Sequence, residues 1–120
     1  MFVHQITPIL NVSDIRASFA WFKKLGWGNE WEWEDPPTFG GISSGKVEIF
    51  HCLDGQGGHG KDGMWISLWV EDVDSVYKEC IANGIEVIRP PTDMPWNVRE
   101  MHVRHPDGHI FRIGRGFEEE

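Results

Sequence analysis

The chain has 120 residues, of which 40% are hydrophobic and 25% charged, a composition that is typical of one globular domain. Its 19 acidic residues outnumber its 11 basic ones and give a formal net charge of −8, which argues against nucleic acids and membranes as partners and permits a cationic one. The sequence has no long apolar run, no signal-peptide pattern and no disulfide framework, so we expect a cytoplasmic protein. Seven tryptophans are many for a domain of this size, and their role has to be explained.

An internal repeat organises the chain. The stretch from Pro8 to Ile15 matches the stretch from Ile66 to Val73 at a constant offset of 58 residues. The match extends to Gly26 and Gly84, which can adopt the left-handed conformation that ends a helix. Each copy therefore predicts a strand, then a helix, then further strands.

The first copy reads in chain order as a strand, a helix and three strands. Ser13 or Asp14 can cap the helix, and Ile15, Phe19 and Phe22 recur on one of its faces. The later strands are predicted at Trp27–Trp33, Phe39–Ile42 and Val47–Cys52. Residues 54–63 are glycine-rich and predict a flexible linker to the second copy.

The second copy opens with a strand whose two sides differ. Ile66 and Leu68 alternate with Trp65, Ser67 and Trp69, so both tryptophans are expected to point away from the helix side. A concave, helix-free surface lined by tryptophan is therefore predicted.

A helix and three strands complete the second copy. Asp72 can cap the helix, and Val73, Tyr77 and Cys80 form its apolar face. The strands are predicted at Ile85–Arg89, Val98–Arg104 and His109–Ile113. The turn His105-Pro106-Asp107-Gly108 joins the last two as a hairpin.

These elements predict an α+β fold of two βαβββ repeats. The predicted partition is one domain, 1–120, with repeat one at 1–53, a linker at 54–63, repeat two at 64–116 and an acidic tail at 117–120. One helix covers only one face of each four-stranded sheet. We therefore expect the other faces to form a curved mixed sheet around a cavity.

The C-terminal segment carries the most specific family resemblance. Trp96, Arg99 and Glu100, followed by the Pro106-Asp107-Gly108 turn, resemble the Trp-x-x-Arg-Glu-x-x-x-x-Asp-Pro-x-Gly ending of the bleomycin-resistance branch of the vicinal oxygen chelate superfamily. That superfamily also includes glyoxalase I, extradiol dioxygenases and fosfomycin-resistance enzymes. The resemblance covers nearly the whole chain, although His105 stands where the ending has Asp.

The resemblance implies where a metal site would lie. Enzymes of the superfamily hold a divalent metal with His and Glu side chains from four strands. Three of these positions fall on Thr7, Trp65 and Arg112, and the fourth falls near Phe50, with Glu48 and Cys52 on the same face. Tryptophan and arginine are not ligands for a divalent cation, and Thr is a poor one. We therefore expect no metal and no cofactor. A relocated site made of His51, Glu48 and His102 remains the alternative.

No catalytic constellation is apparent. The six histidines, which are expected to be solvated or structural, are His4, His51, His59, His102, His105 and His109. No nucleophile elbow is present, and Cys52 and Cys80 lack an activating context. The sequence therefore favours a protein that is not an enzyme.

The aromatic residues provide a different candidate site. The predicted ligand-binding residues are Trp33, Phe39, Phe50, Trp65, Trp69, Trp96, Arg99, His102 and Arg112. Stacking surfaces with acidic groups nearby suit a flat cationic ligand, and Glu32, Glu34, Asp35 and Asp93 are candidates to meet its charge. The alternative is that the tryptophans fill the sheet interior or a dimer interface.

The resemblance implies a function for such a surface. Bleomycin-resistance proteins sequester their drug, which has a planar bithiazole and a cationic tail, in clefts of a strand-exchanged homodimer. The favoured hypothesis is a metal-free homodimer that sequesters a cationic aromatic antibiotic such as bleomycin. The alternatives are a metal-dependent lyase, isomerase or dioxygenase with relocated ligands, or a binder of another cytoplasmic small molecule.

Overall fold

The fold consists of two strand–helix–three-strand units, seen in a computed structural model that describes residues 1–53 and 63–116. The units comprise Met1–Lys61 and Asp62–Glu120. Residues 54–62 of the predicted linker and the predicted acidic tail lie outside the described residues. The predicted α+β fold with two βαβββ repeats is confirmed. The shared cavity and the strand-exchanged dimer stay predictions.

The first unit contains a four-stranded mixed sheet and one helix. Its elements are β1 (Ile9–Asn11), α1 (Ile15–Lys23), β2 (Gly28–Trp33), β3 (Phe39–Ser44) and β4 (Val47–Cys52). The strand order is β1-β4-β3-β2, in which β1 runs parallel to β4 and the other pairs are antiparallel.

The second unit repeats this arrangement. Its elements are β5 (Trp65–Trp69), α2 (Val73–Ala82), β6 (Glu86–Met94), β7 (Val98–Arg104) and β8 (Ile110–Gly116). The order is β5-β8-β7-β6, with β5 parallel to β8. Strand β6 runs past the predicted end at Arg89 and includes Pro90 and Pro91. Proline is tolerated there because β6 is an edge strand with register shifts.

Both helices begin at the predicted aspartates. The Oδ1 atom of Asp14, rather than Ser13, accepts a hydrogen bond from the Ala17 amide at 3.0 Å. The Oδ1 atom of Asp72 accepts one from the Ser75 amide at 3.1 Å. The carboxylates satisfy amides that have no partner in a first helical turn. No helix among the described residues is long and apolar enough to cross a membrane.

Each unit has its own apolar core between helix and sheet. In the first unit the buried apolar side chains include Leu10, Val12, Ile15, Phe19, Trp21, Phe22, Trp27, Ile42 and Ile49. In the second they are Val73, Cys80, Ile85, Met101, Val103, Ile110, Phe111 and Ile113. Burial raises the pKa of the Cys80 thiol to about 11, so this thiol is unreactive at neutral pH.

Candidate functional site

The first sheet has chemically different faces because side chains alternate along β2. Glu30 forms an ion pair with Lys23 of α1, and Glu32 forms one with Arg16 at 2.9 Å. Trp31 lies between these glutamates in the chain. Its indole is on the opposite face of the sheet, where it contacts the ring of Phe50. The helix thus covers one face of the sheet. We call the uncovered face of each sheet its open face.

Three rings form the centre of the open face of the first sheet. The ring centroids of Trp31 and Phe39 are 5.9 Å apart, those of Trp31 and Phe50 are 5.7 Å apart, and those of Phe39 and Phe50 are 5.5 Å apart. The indole Nε1 of Trp31 donates a hydrogen bond to Oε2 of Glu48 at 2.7 Å. We call Trp31, Phe39, Glu48 and Phe50 the aromatic face.

Gly41 makes room for this arrangement. A Cβ atom at this position would lie 2.6 Å from Nε1 of Trp31 and 2.7 Å from Oε2 of Glu48. A side chain there would therefore displace the hydrogen bond that joins the indole to the carboxylate.

An open depression of about 390 Å³ borders the aromatic face. Its lining residues are Trp33, Glu34, Thr38, Phe39, Cys52 and Leu53. Trp33 is 64% exposed, and Glu34, directly after β2, adopts a left-handed conformation with φ of 70°. The depression thus combines stacking surface with one carboxylate.

The acidic candidates from the sequence have different surroundings. Glu32 and Asp35 both lie near Arg16, at 2.9 and 3.5 Å, and Asp93 lies 2.9 Å from Arg99. Only Glu34 among the four lines the depression. The cluster expected at the mouth of a cleft is therefore largely neutralised by the protein's own arginines.

The open face of the second sheet is centred on a buried carboxylate. Glu100 is 1% exposed. It accepts hydrogen bonds from Nε and Nη2 of Arg112 at 3.0 and 2.8 Å, and from Nε1 of Trp96 at 3.1 Å. Nε2 of His102 lies 2.5 Å from its Oε2 atom. We call Glu100, His102, Arg112 and the tryptophans beside them, Trp65, Trp69 and Trp96, the ionic face.

The Glu100–Arg112 pair is charged at neutral pH. The hydrogen bonds from Arg112 outweigh the opposing effect of burial and lower the pKa of Glu100 to about 2, with smaller contributions from His102 and Trp96. The carboxylate raises the pKa of Arg112 in turn. The guanidinium is thus held by a carboxylate of its own sheet.

Two exposed tryptophans flank this pair. Trp65 is 58% exposed and Trp69 is 67% exposed. Trp65 and Trp69 pair with Ile110 and Gly114 of β8, two residues before and two after Arg112, so both lie on the same face of the sheet as Arg112. The ring of Trp65 makes an edge contact with His102, with centroids 5.4 Å apart.

Arg99 does not join this group. Its guanidinium binds Asp74 of α2 at 2.8 and 3.0 Å and Asp93 at 2.9 Å, and these carboxylates raise its pKa. It therefore lies on the helix side of β7, opposite Glu100. The structure brings together Trp65, Trp69, Trp96, His102 and Arg112 in one unit, and Trp33, Phe39 and Phe50 in the other.

The positions that correspond to metal ligands do not fit a metal ion. Trp65 and Phe50 are apolar and aromatic, and Arg112 is a cation already bound to Glu100. His51 of the alternative site faces α1, with its ring 4.9 Å from that of Phe19 and 5.2 Å from that of Phe22. Glu48 is on the other face of β4, so the alternative grouping with His51 is wrong. Within the described ranges no three His, Cys, Asp or Glu residues are placed to hold a metal.

Two other histidines are structural. Nδ1 of His105 accepts a hydrogen bond from the Asp107 amide at 3.0 Å, and Nδ1 of His109 accepts one from the Met64 amide at 3.0 Å. Both rings are buried, and burial, with the nearby His109, lowers the pKa of His105 to about 4. His105 is therefore neutral at pH 7 and fastens the β7–β8 turn.

The predicted ligand-binding residues did not include Trp31 or Glu48, and Glu48 was considered only for the alternative metal site. Their positions were predictable, because Trp31 is two residues from Trp33 and Glu48 is two residues from Phe50. Their mutual hydrogen bond was not, because it joins β2 to β4 across the intervening β3.

Comparison with known proteins gives a family and several similar folds. The family model described as "Glyoxalase/Bleomycin resistance protein/Dioxygenase superfamily" matches residues 3–113. No curated protein matches the chain.

Solved structures resemble the chain over almost all of its length. TioX from Micromonospora sp. ML1 is 22% identical, with a TM-score of 0.79 over 96% of this chain and 100% of that one. A bleomycin resistance determinant encoded on the transposon Tn5 is 18% identical, with a TM-score of 0.79 over 97% and 100%. A bleomycin-binding protein complexed with bleomycin is 17% identical, with a TM-score of 0.74 over 96% and 100%. At these identities the likeness is one of fold.

Proposed function

We propose, since the chain belongs to the glyoxalase/bleomycin resistance protein/dioxygenase superfamily, that it is a small-molecule binding protein. In this proposal it sequesters a cationic aromatic ligand without a metal ion, and it acts in the cytoplasm as a homodimer. The observation that carries the proposal is the occupation of the metal-ligand positions by Trp65, Phe50 and Arg112.

The distribution of the tryptophans supports this function. Trp21 and Trp27 are buried, whereas Trp31, Trp33, Trp65, Trp69 and Trp96 are each at least 40% exposed. Exposed apolar groups of this size on one side of a sheet are typical of binding surfaces rather than of a folded core. Indoles offer a flat ligand a large contact area and attract a cation over their faces.

The described side chains support catalysis on a bound substrate less well than they support binding. His105 and His109 are held by backbone amides, and the Cys80 thiol has its pKa raised to about 11. Glu100 is held as a carboxylate by Arg112, so it is a poor general base at neutral pH. Binding without bond cleavage is the function that the described side chains support best.

Titration of tryptophan fluorescence with metal-free bleomycin tests the proposal. One of the similar folds was solved with this drug, which makes it a suitable cationic aromatic probe. We expect quenching that saturates near one drug per chain. The absence of any change up to ~1 mM, which corresponds to binding weaker than about −4 kcal/mol, would contradict the proposal.

Variants locate the binding surface. Trp65→Ala and Trp69→Ala should each weaken the affinity by about tenfold, because each removes a stacking surface. Ile81→Ala is the matched control, because Ile81 is an exposed apolar residue on α2. Equal affinities for all three variants would place the drug elsewhere.

A further inference from the structure

Glu48 is a carboxylate in aromatic surroundings. It is half-buried, and its Oε2 atom accepts the indole hydrogen bond of Trp31 at 2.7 Å. Within residues 1–53 and 63–116, no Lys, Arg or His side chain forms an ion pair with it. The indole hydrogen bond offsets part of the cost of burying this carboxylate, whereas a counter-charge would offset more of it.

The second unit shows how the same scaffold neutralises such a carboxylate. Ile9 and Ser67 are equivalent in the repeat, and they pair with Phe50 and Arg112 respectively. Phe50 therefore occupies in the first sheet the position of Arg112 in the second. Arg112 supplies the counter-charge for Glu100, whereas Phe50 supplies none for Glu48.

What the first sheet offers in place of arginine is a set of ring faces. The centroids of Trp31, Phe39 and Phe50 form a triangle with sides of 5.5 to 5.9 Å. A cation on the open side of this triangle would lie within the roughly 6 Å range over which rings attract cations. Glu48, which accepts the indole hydrogen bond of Trp31, places a carboxylate at the edge of the triangle.

We propose that the aromatic face binds a quaternary ammonium group through Trp31, Phe39, Phe50 and the carboxylate of Glu48. This inference rests on the proposed function and identifies the place where the charged end of the ligand is held. The class of cation follows from the donor set. A metal ion needs several oxygen ligands and a primary ammonium needs several acceptors, whereas a quaternary ammonium needs only ring faces and a nearby negative charge.

The test is an NMR titration of the whole chain, labelled with ¹⁵N, with choline as the probe. The indole N–H of Trp31, identified from the spectrum of Trp31→Phe, reports directly on the site. We expect this signal to move in a saturable manner with choline. The neutral isostere 3,3-dimethyl-1-butanol, which has the same shape without the charge, should move it at least about fivefold less at equal concentration.

Two matched variants separate the site from general electrostatics. Glu48→Gln retains an oxygen acceptor for Trp31 and removes the charge, and it should weaken choline binding by about fivefold or more. Glu32→Gln removes the same charge from the helix side of the same sheet and should leave binding unchanged. Phe50→Leu should also weaken binding, because it keeps apolar volume and removes a ring face.

The outcomes discriminate clearly. Equal responses to choline and to its neutral isostere, or equal losses in Glu48→Gln and Glu32→Gln, would overturn the proposal. A choline response together with no bleomycin binding would leave this site standing and contradict sequestration of that drug. Bleomycin binding that is unaffected by Glu48→Gln and Phe50→Leu would contradict this site alone.

Discussion

Phe39 and Phe50 occupy in the first sheet the positions that Glu100 and Arg112 occupy in the second. The equivalence follows from register, since Gly41 pairs with Phe50 as His102 pairs with Arg112, and Phe39 and Glu100 each lie two residues earlier. One scaffold thus presents an aromatic face and an ionic face.

The difference shows two ways of placing a carboxylate on an open sheet face. On the ionic face Glu100 is satisfied within its own unit, so its charge is unavailable to a ligand. On the aromatic face Glu48 has no lysine, arginine or histidine partner among the described residues. We therefore expect the first unit to recognise a cation, and both units to stack against a flat ligand.

The largest expected effect comes from breaking the ionic pair. Arg112→Met leaves Glu100 buried without its cation and should lower the free energy of unfolding by about 2–4 kcal/mol. Arg104→Met is the control, because Arg104 binds the exposed Glu86 at 3.0 Å and should cost less than about 1 kcal/mol. Urea unfolding at pH 7 measures both. Equal losses of unfolding free energy in the two variants would mean that the Glu100–Arg112 pair contributes no more to stability than an ordinary surface ion pair.

The next effect is a loss of stability in acid that originates in the second unit. The pKa of His105 falls from 6.5 to about 4 on folding, so the unfolded chain binds a proton that the folded chain does not. Stability should therefore decrease as the pH falls from about 6.5 to 4, by roughly 3 kcal/mol at most. Glu100, with its pKa lowered to about 2, adds a loss only below about 4.5.

His105→Asn separates the two titrations. An asparagine oxygen can accept the Asp107 amide as Nδ1 of His105 does, and it carries no proton in this range. Urea midpoints for this variant should change little between pH 6.5 and 4.5. A variant that is as acid-sensitive as the wild type would assign the loss to another group.

A smaller effect on stability is expected when the glycine beneath each open face is replaced by alanine. Gly41→Ala forces apart Trp31 and Glu48 and should cost about 1–2 kcal/mol, with a shift of the Trp31 indole signal. Gly114→Ala places its Cβ 3.2 Å from Val98, which can give way, and should cost less than about 1 kcal/mol. Thermal unfolding compares them. The reverse order would show that the aromatic face is the more adaptable one.

The smallest effect tests the comparison with one substitution on each face. Glu48→Gln should change the free energy of unfolding by less than about 0.5 kcal/mol, because the amide oxygen still accepts the Trp31 hydrogen bond. Glu100→Gln should cost about 1–2 kcal/mol, because Arg112 loses its counter-charge. Similar losses in both variants would mean that Glu48 also has a counter-charge in solution.

Local patterns predicted most of the fold. The repeat, the aspartate caps and the alternation of Trp65 and Trp69 depend only on neighbours in the chain, and the bounds of β4 and β7 agree with the prediction. The end of β6 was missed because Pro90 and Pro91 normally stop a strand. Only the edge position, which depends on the whole sheet, makes them acceptable.

The site was less predictable, because it depends on contacts across strands. Arg99 and Glu100 are adjacent in the sequence, yet they lie on opposite faces of β7 with different partners. The sequence indicated that Glu32 could meet a ligand, whereas in the structure Arg16 of α1 donates two hydrogen bonds to it. Residue type and alternation indicate which side chains share a face, whereas the neighbouring element determines which charges remain free.

The metal content of the purified protein tests the central claim most directly. The protein should be prepared without chelators from cells supplied with nickel, zinc, manganese and iron, and each metal should be measured per chain. We predict well below one equivalent of any of them, because Trp65, Phe50 and Arg112 cannot ligate a cation. One tightly held equivalent, retained on dialysis and lost in a variant of an open-face residue such as His102→Ala, would contradict a metal-free binding protein and favour a metal-dependent enzyme.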